Sequence, residues 1–242
     1  MATLKQIRRR IRSVQSTQQI TKAMEMVAAA KLKRAQDRVT ASRPYAAGIR
    51  GILESLSTAA QGLAHPLFEQ RPVRHRLVVV IASDKGLCGS FNMNVFRMAE
   101  RHAVAHGAAV RLVPVGRRAN LHFGKRGWQI PWKIADLGDQ VDVATARLLA
   151  NEVVRAFVSG EADLVELVYT QYISTMSRRV VVAPLLPISS EESAERPSRT
   201  EYIFEPSPAA IFGSLLPRYV ENRILQAMAE SLASEHSARM VS

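Results

Sequence analysis

The sequence predicts an α/β fold: an antiparallel coiled coil of long N- and C-terminal helices beside a mostly parallel α/β domain. Three observations predict it. The first forty or so residues read as one uninterrupted helix, the end of the chain reads as another, and apolar runs alternate with helical segments between them. The expected boundaries are 1–62 for the N-terminal coiled-coil helix, 74–190 for the α/β domain and 207–242 for an incomplete C-terminal helix.

Residues 3–42 are rich in Ala, Gln, Lys, Arg and Met, and no Gly or Pro occurs before Pro44. Leu4, Ile7, Ile11 and Val14 fall on one stripe; Ile20, Met24 and Val27 form a shifted one, and Ala28, Leu32, Ala35 and Val39 resume the first. A forty-residue helix is about 60 Å long, so it must project, and its apolar stripe needs a partner helix. The other end of the chain supplies one. Ser207 and Pro208 form a helix start, and Ile211, Leu215, Leu216, Val220, Ile224, Ala227, Met228 and Leu232 repeat at helical spacing. The pattern is still running at Val241, without a stop signal.

Between these helices, a linker with Pro66 and Pro72 spans His65 to His75. Strands are expected at Arg76–Ser83, Val110–Val115, Trp128–Ala135, Asp163–Thr170 and Arg178–Leu186. Helices are expected at Asn92–His106, Arg117–Lys125 and Val141–Val158. The stretch Pro187 to Pro208, with five Glu, four Pro and five Ser, reads as a loop.

The chain has 242 residues, a formal charge of +12 and a pI near 10.5. Residues 1–50 hold twelve Lys/Arg against Glu25 and Asp37, so that segment carries +10 and the other 192 residues only +2. An anionic partner for the first helix is implied. One cysteine excludes an internal disulfide framework and an all-cysteine zinc site. Apolar runs such as Leu77 to Ala82 are too short to span a bilayer. The start of the chain lacks the apolar core of a signal peptide, so a cytosolic chain is expected.

No catalytic constellation emerges. The turn Ser83 to Asn92 carries Gly86 and Gly89 where dinucleotide folds hold phosphate, but it matches neither phosphate-loop pattern. Cys88 has no base partner in sequence and reads as a packed thiol. His102 and His106 share a helix face without the acids or cysteines that would complete a metal set. Arg8, Arg9, Arg10 and Arg12 suit nucleic-acid phosphates, yet Ile7, Ile11 and Val14 keep one face apolar and no aromatic is there to stack on bases. A basic coiled-coil nucleic-acid binder and a nucleotide-dependent enzyme using the Gly86–Gly89 turn are the two rival readings.

The string from Ile7 to Lys31, with Ile20-Thr-Lys-Ala-Met-Glu-Met-Val-Ala-Ala29 at its centre, closely resembles the N-terminal helix of the gamma subunit of F-type ATP synthases, bacterial type. Three further blocks agree in order: Ser83-Asp-Lys-Gly-Leu-Cys-Gly89, Tyr202-Ile-Phe-Glu-Pro-Ser-Pro208 and Ala233-Ser-Glu-His-Ser-Ala-Arg-Met-Val241. The resemblance implies a rotor shaft standing in a ring of alpha and beta subunits, with a Rossmann-like α/β domain at its membrane-side foot. It implies torque transfer from a proton-driven membrane c-ring to catalytic sites on beta, with no catalysis, cofactor, metal, nucleic acid or small-molecule substrate of its own. The implied stator-facing residues are Ile20, Lys22, Met24 and Met26, and Tyr202 and Glu205 would touch the membrane ring and the epsilon subunit. A peripheral place on the cytoplasmic face of a bacterial inner membrane follows. Members of that family continue for further helical turns, so the chain reads as cut short at Ser242. No cysteine-bearing insert supports a thiol switch.

Overall fold

A computed structural model describes residues 3–59, 65–138, 140–188 and 208–242. In chain order the elements are α1 (Leu4–Ala59), β1 (Arg76–Ile81), α2 (Phe91–His106), β2 (Val110–Val115), α3 (Arg117–Phe123), α4 (Val143–Val158), β3 (Leu164–Tyr172), β4 (Arg178–Leu186) and α5 (Pro208–Val241).

The sheet order is β2-β1-β3-β4. β1 lies parallel to both neighbours, with Val79 opposite Val113 on one side and Leu167 on the other. β4 returns antiparallel along β3 through a short hairpin, pairing Val168 with Val182. The unbroken run Leu77–Ile81 suits a strand buried on both faces. Leu77, Val79 and Ile81 pack with Leu149, Val153 and Phe157 of α4 and with Leu216, Val220 and Ile224 of α5. Val78 and Val80 meet Val95, Phe96 and Ala99 of α2 and Phe123 of α3 on the opposite face. Gly107, at φ +70, ends α2, and Asp142 caps α4 by accepting from Ala144 and Thr145 N–H at 3.1 Å each.

α1 is 56 residues long, about 84 Å, and runs on through Pro44. It is antiparallel to α5: Lys31 to Arg38 lie beside Ala229 to His236, and Met24 lies beside Met240. Leu32 and Ala35 pack on Ala233. Small residues on α5 let it approach the sheet closely. Ser234 and Ser237 are fully buried; the Ser234 hydroxyl donates to the Thr170 carbonyl at 3.2 Å, and that of Ser237 to Thr175 at 2.5 Å.

One expectation needs correcting. Trp128–Ala135 is not a strand. It follows the outer edge of β2, where Gln129 accepts from Leu112 N–H and Ile134 exchanges bonds with Pro114 and Gly116. Pro131, with no N–H and a fixed φ, breaks the ladder between those two points. Leu4, Ile7, Ile11 and Val14 are 46–68% exposed, and burial on α1 begins at Ala28. Residues 4–17 of α1, about 21 Å, extend beyond the last residues of α5, which lie beside Gln18 to Glu25. The cap expected at Ser207 lies outside the described residues; Pro208 opens α5 as expected.

Candidate functional site

Where α5 ends and α1 runs on, an open cleft of about 410 Å³ forms. Lys22 and Met24 of α1, Leu87 and Gly89 of the turn after β1, and Arg239 and Met240 of α5 line it. Three segments separated by some sixty and one hundred and fifty positions thus converge. Parallel strand order explains why. The turn leaves β1 at the sheet's carboxyl edge, and α5 crosses that edge with its last turns.

The turn is held from beneath. Asn92 accepts from the Ser83 N–H at 3.1 Å and donates to the Cys88 sulfur at 3.3 Å. Asp84 accepts from the N–H groups of Arg117, Leu137 and Gly138, each at 2.8 Å, fixing the turn to two other loops. So braced, it presents Leu87 in the left-handed region at φ +58 and 71% exposed. A leucine in that conformation stores about 1 kcal/mol, which the surrounding hydrogen bonds hold in place. Burial pushes the Cys88 thiol above its ordinary value, and nearby Glu235 adds to the shift. The thiol is neutral and packed, in line with the sequence reading.

α5 locks onto this turn through charge. Arg239 donates to Glu235 at 2.5 Å and to the Gly86 carbonyl at 3.3 Å, with both ionic side chains only 11% exposed. A Cβ on Gly89 would come 3.5 Å from that of Ser242. The turn that could have cradled a phosphate thus binds the chain's own last helix.

Of the residues singled out from sequence, Lys22 and Met24 enter the cleft. Lys22 pairs with Glu25 at 3.1 Å in a largely exposed bridge of small worth. Ile20 and Met26 do not line it and are 58% and 62% exposed on the projecting helix. Tyr202 and Glu205 lie outside the described residues. Leu87 and the Glu235–Arg239 pair were not singled out. Only the four-residue spacing of the pair signalled a helix-face bridge. His102 and His106 do share a face, with rings 4.4 Å apart, but His102 bonds Glu166 at 2.7 Å. Among the described residues no group of three or more His, Cys, Asp or Glu is placed to hold a metal. Nor is any helix among them long and apolar enough to cross a membrane.

A 56-residue basic helix paired antiparallel with α5 beside an α/β domain defines a stalk-type protein. The family model described as ATP synthase matches residues 3–242. The ATP synthase gamma chain of Pelotomaculum thermopropionicum is 42% identical over 240 residues, covering 99% of this chain and 84% of the relative. That of Geobacter metallireducens is 43% identical over 243 residues, with the same two coverages. The chain belongs to the ATP synthase gamma-chain family. The central stalk and c-ring structure of the Tetrahymena thermophila mitochondrial ATP synthase holds a chain of the same fold, with a TM-score of 0.73 and 27% identity. The match covers 92% of this chain and 96% of that one. The rotor of the Euglena gracilis mitochondrial enzyme shares the fold alone, at a TM-score of 0.63 and 18% identity over 97% of this chain and 87% of that one. The nucleic-acid reading finds no support in these likenesses.

Proposed function

We propose that this chain is the central rotor shaft of an F-type ATP synthase, coupling proton flow through a membrane c-ring to ATP synthesis and hydrolysis on an alpha/beta hexamer. The observation that carries the proposal is the long antiparallel pairing of α1 with α5 beside the α/β domain, with twelve Lys and Arg in residues 1–50. A rotating shaft needs contacts that differ from subunit to subunit. Basic charge on the shaft suits acidic levers on beta. The chain itself catalyses nothing: it biases catalytic sites carried by others.

In this reading Ile20, Lys22, Met24 and Met26 meet the stator, with Leu87 beside Lys22 and Met24 at the cleft. Tyr202 and Glu205 meet the epsilon subunit and the membrane ring. The α/β domain, 74–190, is the foot, and 1–62 with 207–242 is the shaft. The complex sits on the cytoplasmic face of a bacterial inner membrane, with this chain peripheral to the bilayer.

Co-expression with alpha and beta subunits from the same source, followed by size exclusion and an ATP hydrolysis assay, tests this. One copy per hexamer, with hydrolysis that depends on it, is the expected result. A hexamer that excludes the chain, or hydrolyses equally without it, would overturn the proposal.

A further inference from the structure

A second cavity, of about 340 Å³, opens where α1, α5 and the segment before α4 meet. That volume lies within the range of small-molecule sites. Lys31, Arg34 and Arg38 line it from one face of α1, Gln140 from the loop and His236 from α5. Ala35, Val141, Ala229 and Leu232 complete the wall, and no carboxylate is among the lining residues. Arg34 and Arg38 bring two cations to this half-open cavity, and together they attract an anion.

The lining is held in place. Arg38 donates to the Val141 carbonyl at 3.3 Å and to the Gln140 side-chain oxygen at 3.0 Å, which leaves three of its five N–H groups for a ligand. His236 is 3% exposed, a buried polar side chain on the cavity wall. The Arg34 side chain makes no ion pair or hydrogen bond among the described residues. The neighbouring acid, Asp142, is committed to the N–H groups that start α4; those donors hold its carboxyl below the usual carboxylate range. A lever sliding past a shaft needs only loose surface charge. An arginine fork on α1 pinned by the loop before α4 suits a stationary planar or tetrahedral oxyanion.

We infer that this cavity is a binding site for a phosphate group, held by Arg34 and Arg38. The inference stands apart from the rotor reading, because the site lies within one chain.

Isothermal titration of the full chain with inorganic phosphate, glycerol phosphate, and vesicles of phosphatidylglycerol or phosphatidylcholine separates a free phosphate from a lipid headgroup. Saturable binding of at least one phosphate source, weakened about tenfold or more in Arg34→Gln and in Arg38→Gln, is expected. The exposed Arg179, on β4, is the control, and Arg179→Gln should bind as the unmodified chain does. Because Arg34 carries no structural contact of its own, its variant should fold normally. In the assembled alpha/beta complex, dicarbonyl modification of arginines, read peptide by peptide, should show phosphate protecting Arg34 and Arg38 but not Arg179. Absent or vesicle-nonspecific binding, or equal binding by all variants, would overturn the inference. So would protection of Arg34 and Arg38 by the hexamer without phosphate, which would make the cavity a subunit contact.

Discussion

The Ser234 hydroxyl, fully buried on α5, donates to the main-chain carbonyl of Thr170 on β3 at 3.2 Å. Ala233 and Ser237 flank it, so the helix that pairs with α1 also lies directly on the sheet. Shaft and α/β domain are thereby one packed body, and the small side chains are what permit it. Ser234→Leu should force the two apart at a cost of about 2 kcal/mol, lowering the thermal midpoint by about 4–8 °C. Ser234→Ala should cost about half as much, since only the hydrogen bond is lost. Thermal unfolding followed by circular dichroism checks the order. Equal effects would mean that the close approach is unimportant.

Asp163 closes the amino edge of the sheet. It accepts from the N–H groups of Arg74 and His75 at 2.9 and 2.8 Å and pairs with Arg71 at 3.1 Å. Burial alone would raise its carboxyl, but the two N–H donors and Arg71 outweigh it and hold the group below 3.8. A lowered folded value gives stability that is present above the unfolded value and lost as pH falls through the folded one. Asp163→Asn should cost about 2–3 kcal/mol at neutral pH, and the gap from the unmodified chain should narrow below about pH 4. Urea unfolding at several pH values measures it. A gap constant with pH would contradict this account.

Cys88 runs the other way. Burial and Glu235 raise its thiol above 9.0, so its contribution is present below the unfolded value and lost as pH rises through the folded one. Thiol labelling of the native chain at pH 8 should be slow and should accelerate on denaturation. Between pH 8 and 10 the unmodified chain should lose stability relative to Cys88→Ala. Rapid labelling of the folded chain would show that the turn opens readily.

Much of this was legible in the sequence. The run Leu77–Ile81 could only be a doubly buried strand, and Ala28, Leu32, Ala35 and Val39 marked the buried face of α1 at the right spacing. Trp128–Ala135 misled because its apolar residues satisfy the strand pattern while Pro131 vetoes the hydrogen bonds. The cleft was half legible. Lys22 and Met24 stood out by family likeness, but their meeting with Leu87 and Arg239 depends on strand order, which single-sequence patterns do not encode.

Leu87 gives a prediction in which stability and function separate. Leu87→Gly relieves the left-handed strain of about 1 kcal/mol but adds unfolded-state freedom of similar size. With the side chain 71% exposed, little packing is lost, so the midpoint should move by less than about 3 °C. On the proposed reading of the cleft as a stator contact, hydrolysis by the assembled complex should nevertheless fall, because the cleft loses its apolar projection. A large loss of stability would show that the side chain serves the fold instead.

The central claim is that this chain turns. Val104, on α2, is 73% exposed, whereas Cys88 is buried, so Val104→Cys offers a single attachment point for a bead. With the hexamer fixed to a surface and ATP supplied, the bead should rotate continuously in one direction. A hexamer that hydrolyses ATP at full rate while the bead on this chain stays still would contradict the account.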